Sequence, residues 1–126
     1  MSYGTYGFLL NGNVLFNISN RKLILYQEEG SELPFSIKIV SLNDTQSRLL
    51  SFLLHNRMDE IIDKDAIMKS VWDDFSLSSS SQRLWQSIND LRKKLSTVGI
   101  AEDIIINVHG IGYRIDESKV SSLYIS

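Results

Sequence analysis

Apolar positions cluster in short runs through residues 1–41 and then recur at three- and four-residue spacing from residue 42 onward. The runs at 6–10, 14–18, 22–26 and 35–40 are rich in aromatic and β-branched residues. Between them stand Asn11-Gly12-Asn13, Ser19-Asn20-Arg21 and Glu28-Glu29-Gly30-Ser31, which are residues that favour turns. This spacing predicts an antiparallel meander of three or four strands.

The period changes at Leu42. Asn43, with Gln46 three residues on, fits a capping box in which Asn takes the usual Ser/Thr place, and Leu42 is placed to pack back on the first turn. Leu49, Leu50 and Leu53 continue the pattern, so a helix is expected over 44–55. Ile61-Ile62 is long enough only for a strand fragment. Asp63 is the cap of a second helix, with Ile67, Met68 and Val71 on its buried side and Trp72 at its end. Residues 73–81 form a loop of serines and two aspartates, and a third helix is expected over about 80–96. After Gly99, a strand at 104–108, the pair Gly110 and Gly112, and a return at 113–115 predict a β-hairpin. The reading is therefore α+β: an N-terminal sheet (1–41), a three-helix and hairpin core (42–116), and a C-terminal tail or linker (117–126) without clear pattern.

The third helix carries the chemistry. Leu84, Ile88, Leu91 and Leu95 stack on one stripe, while Gln82, Gln86, Asn89 and Lys93 follow the same spacing opposite, with Arg83 and Asp90 on the shoulder. Carboxamides can donate to and accept from adenine N6 and N7 at once, and cations suit phosphates. A solvated outer face explains the same residues, so face chemistry alone leaves both readings open. Trp72 reads as core and Tyr113 as a structural anchor, whereas Trp85, on the helix flank, could pack under the loop or meet a partner.

Composition narrows the classes. The chain has 126 residues, 43% of them hydrophobic, with one proline, no cysteine and a net charge of −2. One ordinary domain with a real core is expected, without disulfides or thiolate metal sites. His55 and His109 are far apart and lack companions at ligand spacing, Asp73-Asp74 lacks partners, and Gly110 and Gly112 are too few to cradle a phosphate. No cofactor, metal, small-molecule substrate or catalytic constellation is implied. No run approaches the ~20 apolar residues of a membrane helix, and residues 1–10 do not read as a signal peptide, so a cytoplasmic protein is expected. The acidic balance argues mildly against a nucleic-acid partner, yet residues 81–96 hold Arg83, Arg92, Lys93 and Lys94 against Asp90 alone.

Taken together, Leu42-Asn43-Asp44-Thr45-Gln46 with Leu49-Leu50, the segment ending Val71-Trp72, Leu91-Arg92-Lys93-Lys94-Leu95 and His109-Gly110-Ile111-Gly112-Tyr113-Arg114 resemble the OmpR/PhoB-type winged helix-turn-helix DNA-binding domains. The resemblance is nearest to the ToxR/CadC-like regulators and covers about residues 42–115. It implies a sequence-specific regulator of transcription whose partner is double-stranded DNA, with the third helix in the major groove and the hairpin wing at the minor groove. Gln82, Arg83, Gln86, Ser87, Asn89, Asp90 and Lys93 would face the groove or its walls, Arg92 and Arg114 would meet phosphates, and His109 would lie at the wing. The resemblance further implies contact of loop 72–81 with RNA polymerase, allows a homodimer or a partner regulator, and permits a tether to the inner membrane. The chain departs from the family at Ser47, where an aromatic is frequent, and at His109 and Asp90, where basic residues are frequent. With the acidic pI, these departures motivate an alternative: a winged-helix protein–protein module with little DNA affinity.

Overall fold

The computed structural model describes residues 4–29 and 33–125. Four strands open the chain: β1 (Gly4–Leu10), β2 (Val14–Asn17), β3 (Lys22–Glu29) and β4 (Leu33–Ser41). Each pairs antiparallel with the next. The β1–β2 turn has φ of 54° at Asn11 and 76° at Gly12, and Asn13 N–H donates to the Leu10 carbonyl at 3.2 Å. Two successive left-handed residues give the primed turn whose twist matches the flanking strands, and Asn-Gly tolerates it best. Register aligns Phe8, Phe16, Leu23 and Val40 across one face, and this face closes over the helices. Of the residues expected to turn at 28–31, Glu28 and Glu29 belong to β3, while Gly30, Ser31 and also Glu32 lie outside the described residues, as do residues 1–3 and Ser126.

The helices follow: α1 (Asp44–His55), α2 (Lys64–Val71) and α3 (Ser81–Ser96). Asn43 and Gln46 form the expected capping box, with Gln46 N–H donating to Asn43 Oδ1 at 2.8 Å and Asn43 N–H to Gln46 Oε1 at 2.9 Å. Asp63 accepts from the first-turn amides of α2, and Ser80 Oγ accepts from Arg83 N–H at 3.0 Å. Caps of this kind contribute about 1 kcal/mol each by satisfying orphan donors. Trp72, 1% exposed, closes α2 inside the core.

A second sheet, in the order β5-β7-β6, is built from β5 (Ile62–Asp63), β6 (Ile105–Val108) and β7 (Gly112–Ile115). One departure from the expected layout is the end of the chain. Instead of a loose tail at 117–126, residues Val120–Ile125 form β8, the fifth strand of the N-terminal sheet, paired antiparallel with β1 from Leu10↔Val120 to Gly4↔Ile125. Asn11 N–H donates to the Lys119 carbonyl, Arg57 donates to Ser122 Oγ at 2.8 Å, and Val120 packs on the core. The free edge of β1 supplies the partner that a segment of weak alternation needs to order its backbone.

Candidate nucleic-acid interface

Leu84, Ile88, Leu91 and Leu95 are all buried, and this apolar stripe fixes the rotation of α3 on the body of the domain. Its opposite face is then set by the 3.6-residue repeat. Gln82, Arg83, Trp85, Gln86 and Lys93 are exposed, and Ser87, Asn89, Asp90 and Arg92 are half-buried along its sides. One flank of the helix forms a hollow in which Gln86, Asn89 and Lys93 meet Trp85 and Glu102. On the other flank, Arg83, Ser87 and Asp90 face Asn43, Thr45 and Gln46 at the start of α1.

The hairpin β6–β7 stands beside this helix. Its turn closes with Ile111 N–H donating to the Val108 carbonyl at 2.9 Å, and Gly110 has φ of 68°. Gly112 serves differently: a Cβ there would run into the Ile62 carbonyl oxygen, so only glycine lets β7 lie this close to β5. His109 and Arg114 are exposed on the hairpin. Trp85, 58% exposed, shares a hollow with Asn107, Gly110 and Lys64, and so bridges the helix face and the wing. The sequence left its role open; the structure puts it between the two candidate reading elements.

Several side chains are less free than the sequence suggested. Arg92, expected at a phosphate, is half-buried and donates from Nη2 to the Ile105 carbonyl, while its Nε is buried without a partner. It fastens α3 to the first strand of the wing. Lys94, counted among the cations of this segment, donates instead to the Ser41 carbonyl at 3.0 Å and ties α3 to the end of β4. Gln86 Nε2 donates to Asp90 Oδ1 at 3.0 Å, an (i, i+4) pair that engages part of the carboxamide. Arg83 Nη1 donates to the Ser78 carbonyl at 2.9 Å. Among the ten candidates, Arg83, Lys93 and Arg114 are therefore the exposed cations. Behind the wing, Tyr113 is 7% exposed, and burial raises its phenol pKa above 10.0 against the opposing charge of Arg92.

A helix held by an apolar stripe, preceded by a second helix and flanked by a glycine-turn hairpin, defines a winged helix-turn-helix domain. The family model described as "Transcriptional regulatory protein, C terminal" matches residues 38–115. The chain belongs to this family, the OmpR/PhoB-type C-terminal DNA-binding domains of transcription regulators. Solved structures of the same fold include the DNA-binding domain of E. coli CadC, with TM-score 0.67 and 20% identity over 97% of this chain and 100% of that one. Another is the response regulator AdeR DNA-binding domain, solved in complex with an intercistronic region, with TM-score 0.63 and 20% identity over 82% of this chain and 94% of that one. By sequence, no curated protein matches the chain. Among the described residues no helix is long and apolar enough to cross a membrane, and no group of three or more potential metal ligands occurs.

Proposed function

We propose that this domain binds specific sites on double-stranded DNA by laying α3 in the major groove and its β6–β7 wing at the adjoining minor groove. The observation that carries the reading is the exposed face of Gln82, Gln86 and Lys93, joined through Trp85 to Asn107 and Gly110 of the wing across a shared hollow. Gln82, Gln86 and Asn89 read base edges, with Asp90 orienting Gln86 or accepting from a cytosine amino group. Arg83, Lys93 and Arg114 neutralise phosphates, Ser87 hydrogen-bonds at the groove wall, and His109 lies along the wing. Arg92 acts on DNA only through its hold on the wing. The AdeR DNA-binding domain, which shares the fold, was solved in complex with an intercistronic region, and this supports DNA as the partner.

The test is binding to promoter fragments at rising salt, read from Trp85 fluorescence with Trp85→Phe as control. Three phosphate contacts give log K falling with log salt at a slope of about −2.7. Absence of binding to every fragment at low salt would instead favour a module that meets other proteins.

The loop after α2 supports a second contact. Phe75 and Leu77 are exposed there beside Asp73 and Asp74, whereas Trp72 is buried, so residues 73–80 supply the surface offered to RNA polymerase. The work of the domain belongs to the cytoplasm, where chromosomal DNA is, and involves no turnover of a substrate. Two copies on adjacent half-sites, or one beside a partner regulator, would raise affinity; sedimentation with and without DNA distinguishes these arrangements.

A further inference from the structure

α1 presents a second surface that the proposed DNA contact does not use, and only Phe75 is shared with the loop proposed to meet RNA polymerase. Its core side is Leu49, Leu50, Leu53 and Leu54. Its other side carries Ser47, Arg48, Ser51 and Phe52 and forms the floor of an open trough of about 500 Å³. The turn between β2 and β3 makes one wall with Ile18 and Arg21, and Phe75 makes the other. Ser47 and Ser51 are the small residues of that floor; Ser47 is only 5% exposed, and its short side chain does not fill the space between the walls. No residue of α3 lines it.

The charge in this trough is one-sided. Asp44 is engaged by Arg21 at 3.2 Å. Arg48 has no carboxylate within ion-pair distance among the described residues. Its Nε donates to the Val71 carbonyl at 3.1 Å, and its guanidinium lies 4.2 Å from the centre of the Phe75 ring. An apolar hollow with one convergent, uncompensated cation is the composition of a small-ligand site, and the volume is in the range of such sites. A guanidinium selects a carboxylate because its fork matches two oxygens.

We infer that this trough binds a small amphipathic carboxylate, its apolar body between Ile18, Phe52 and Phe75 and its carboxylate on Arg48. Arg48 also holds the Val71 carbonyl and covers Phe75, so a carboxylate drawing on the same guanidinium changes the start of the loop that leads into α3. Occupancy thereby reaches the DNA face without touching it.

The experiment is an NMR titration of the domain with 1-naphthoate, and in parallel with neutral 1-naphthalenemethanol. Saturable shifts confined to residues 18–21, 44–55 and 70–77 are expected for the acid, with the alcohol at least tenfold weaker. Arg48→Gln should remove that preference for the acid, and Ser47→Phe, by filling the floor, should abolish binding of both. Should Ser47→Phe not fold, Ser51→Phe fills the same trough from a more exposed position. Equal binding of acid and alcohol, shifts at other residues, or no saturable shift at millimolar probe would overturn the inference. None of these readouts involves DNA, so the result stands apart from the proposed function.

Discussion

Replacing Arg92 by methionine separates a structural arginine from a phosphate ligand. The substitution keeps an unbranched chain of similar length and removes the guanidinium that donates to the Ile105 carbonyl. A hydrogen bond from a charged donor contributes about 2 kcal/mol. Against this, the buried Nε has no partner, and relieving it returns about 1 kcal/mol. The net loss is about 1 kcal/mol. With an unfolding entropy of about 2.1 cal/mol/K per residue over this chain, that corresponds to a fall in Tm of about 4 °C. Calorimetry of the free domain measures the first quantity. Salt-dependent DNA binding measures the second, and here the slope should stay as in the parent, because Arg92 contributes no released counterion. Affinity falls modestly at every salt concentration as the wing loosens from α3. An unchanged Tm together with a slope shallower by about 0.9 would refute the reasoning and return Arg92 to the phosphates.

Lys93→Ala should weaken binding to all sequences alike and flatten the salt slope by about 0.9, whereas Gln86→Ala should cost about 1–3 kcal/mol at one base position and relax preference there; competition against a randomised site library checks both. Tyr113 titrates above its ordinary pKa of 10.0 because it is buried, so the folded state holds this proton longer than the unfolded chain. Stability from this group is complete below pH 10 and is lost as pH rises above it, so thermal melts between pH 9 and 11 should show a steeper decline for the parent than for Tyr113→Phe. Gly112→Ala places a methyl against the Ile62 carbonyl and must push β7 from β5; we expect a clear loss of thermal stability and of wing-dependent DNA affinity, and an unchanged melt would show that the strands move apart freely.

Local signals carried most of the fold. The α1 capping box, the Asp63 and Ser80 caps and the four-residue aliphatic stripe of α3 each act within one or two helical turns, so adjacent residues report them. β8 was illegible because what orders it is β1, more than a hundred residues earlier, and its own Ser121-Ser122 gives no alternation to read. The same distance effect hid the fates of Arg92 and Lys94. A helical wheel puts them on the shoulder of α3, but their long stems turn toward carbonyls of Ile105 and Ser41, which only the tertiary fold brings near. The Gln86–Asp90 pair is at a readable (i, i+4) spacing, but the same spacing also suits two side chains that each face a groove, so sequence alone does not say that they hold each other. For Trp85 no local rule exists: its meaning depends on how close the wing comes.

The pairing of Gly4 with Ile125 brings the two ends of the described chain side by side on one edge of the N-terminal sheet. Tension applied between those two residues would therefore peel the β1–β8 ladder one rung at a time, the geometry of a zipper, rather than shear it all at once. The helices and the wing lie outside that line of force. A pull at the ends would strip β8 from the sheet long before it altered the distance between α3 and the hairpin, so that pair is mechanically insulated from tension between Gly4 and Ile125.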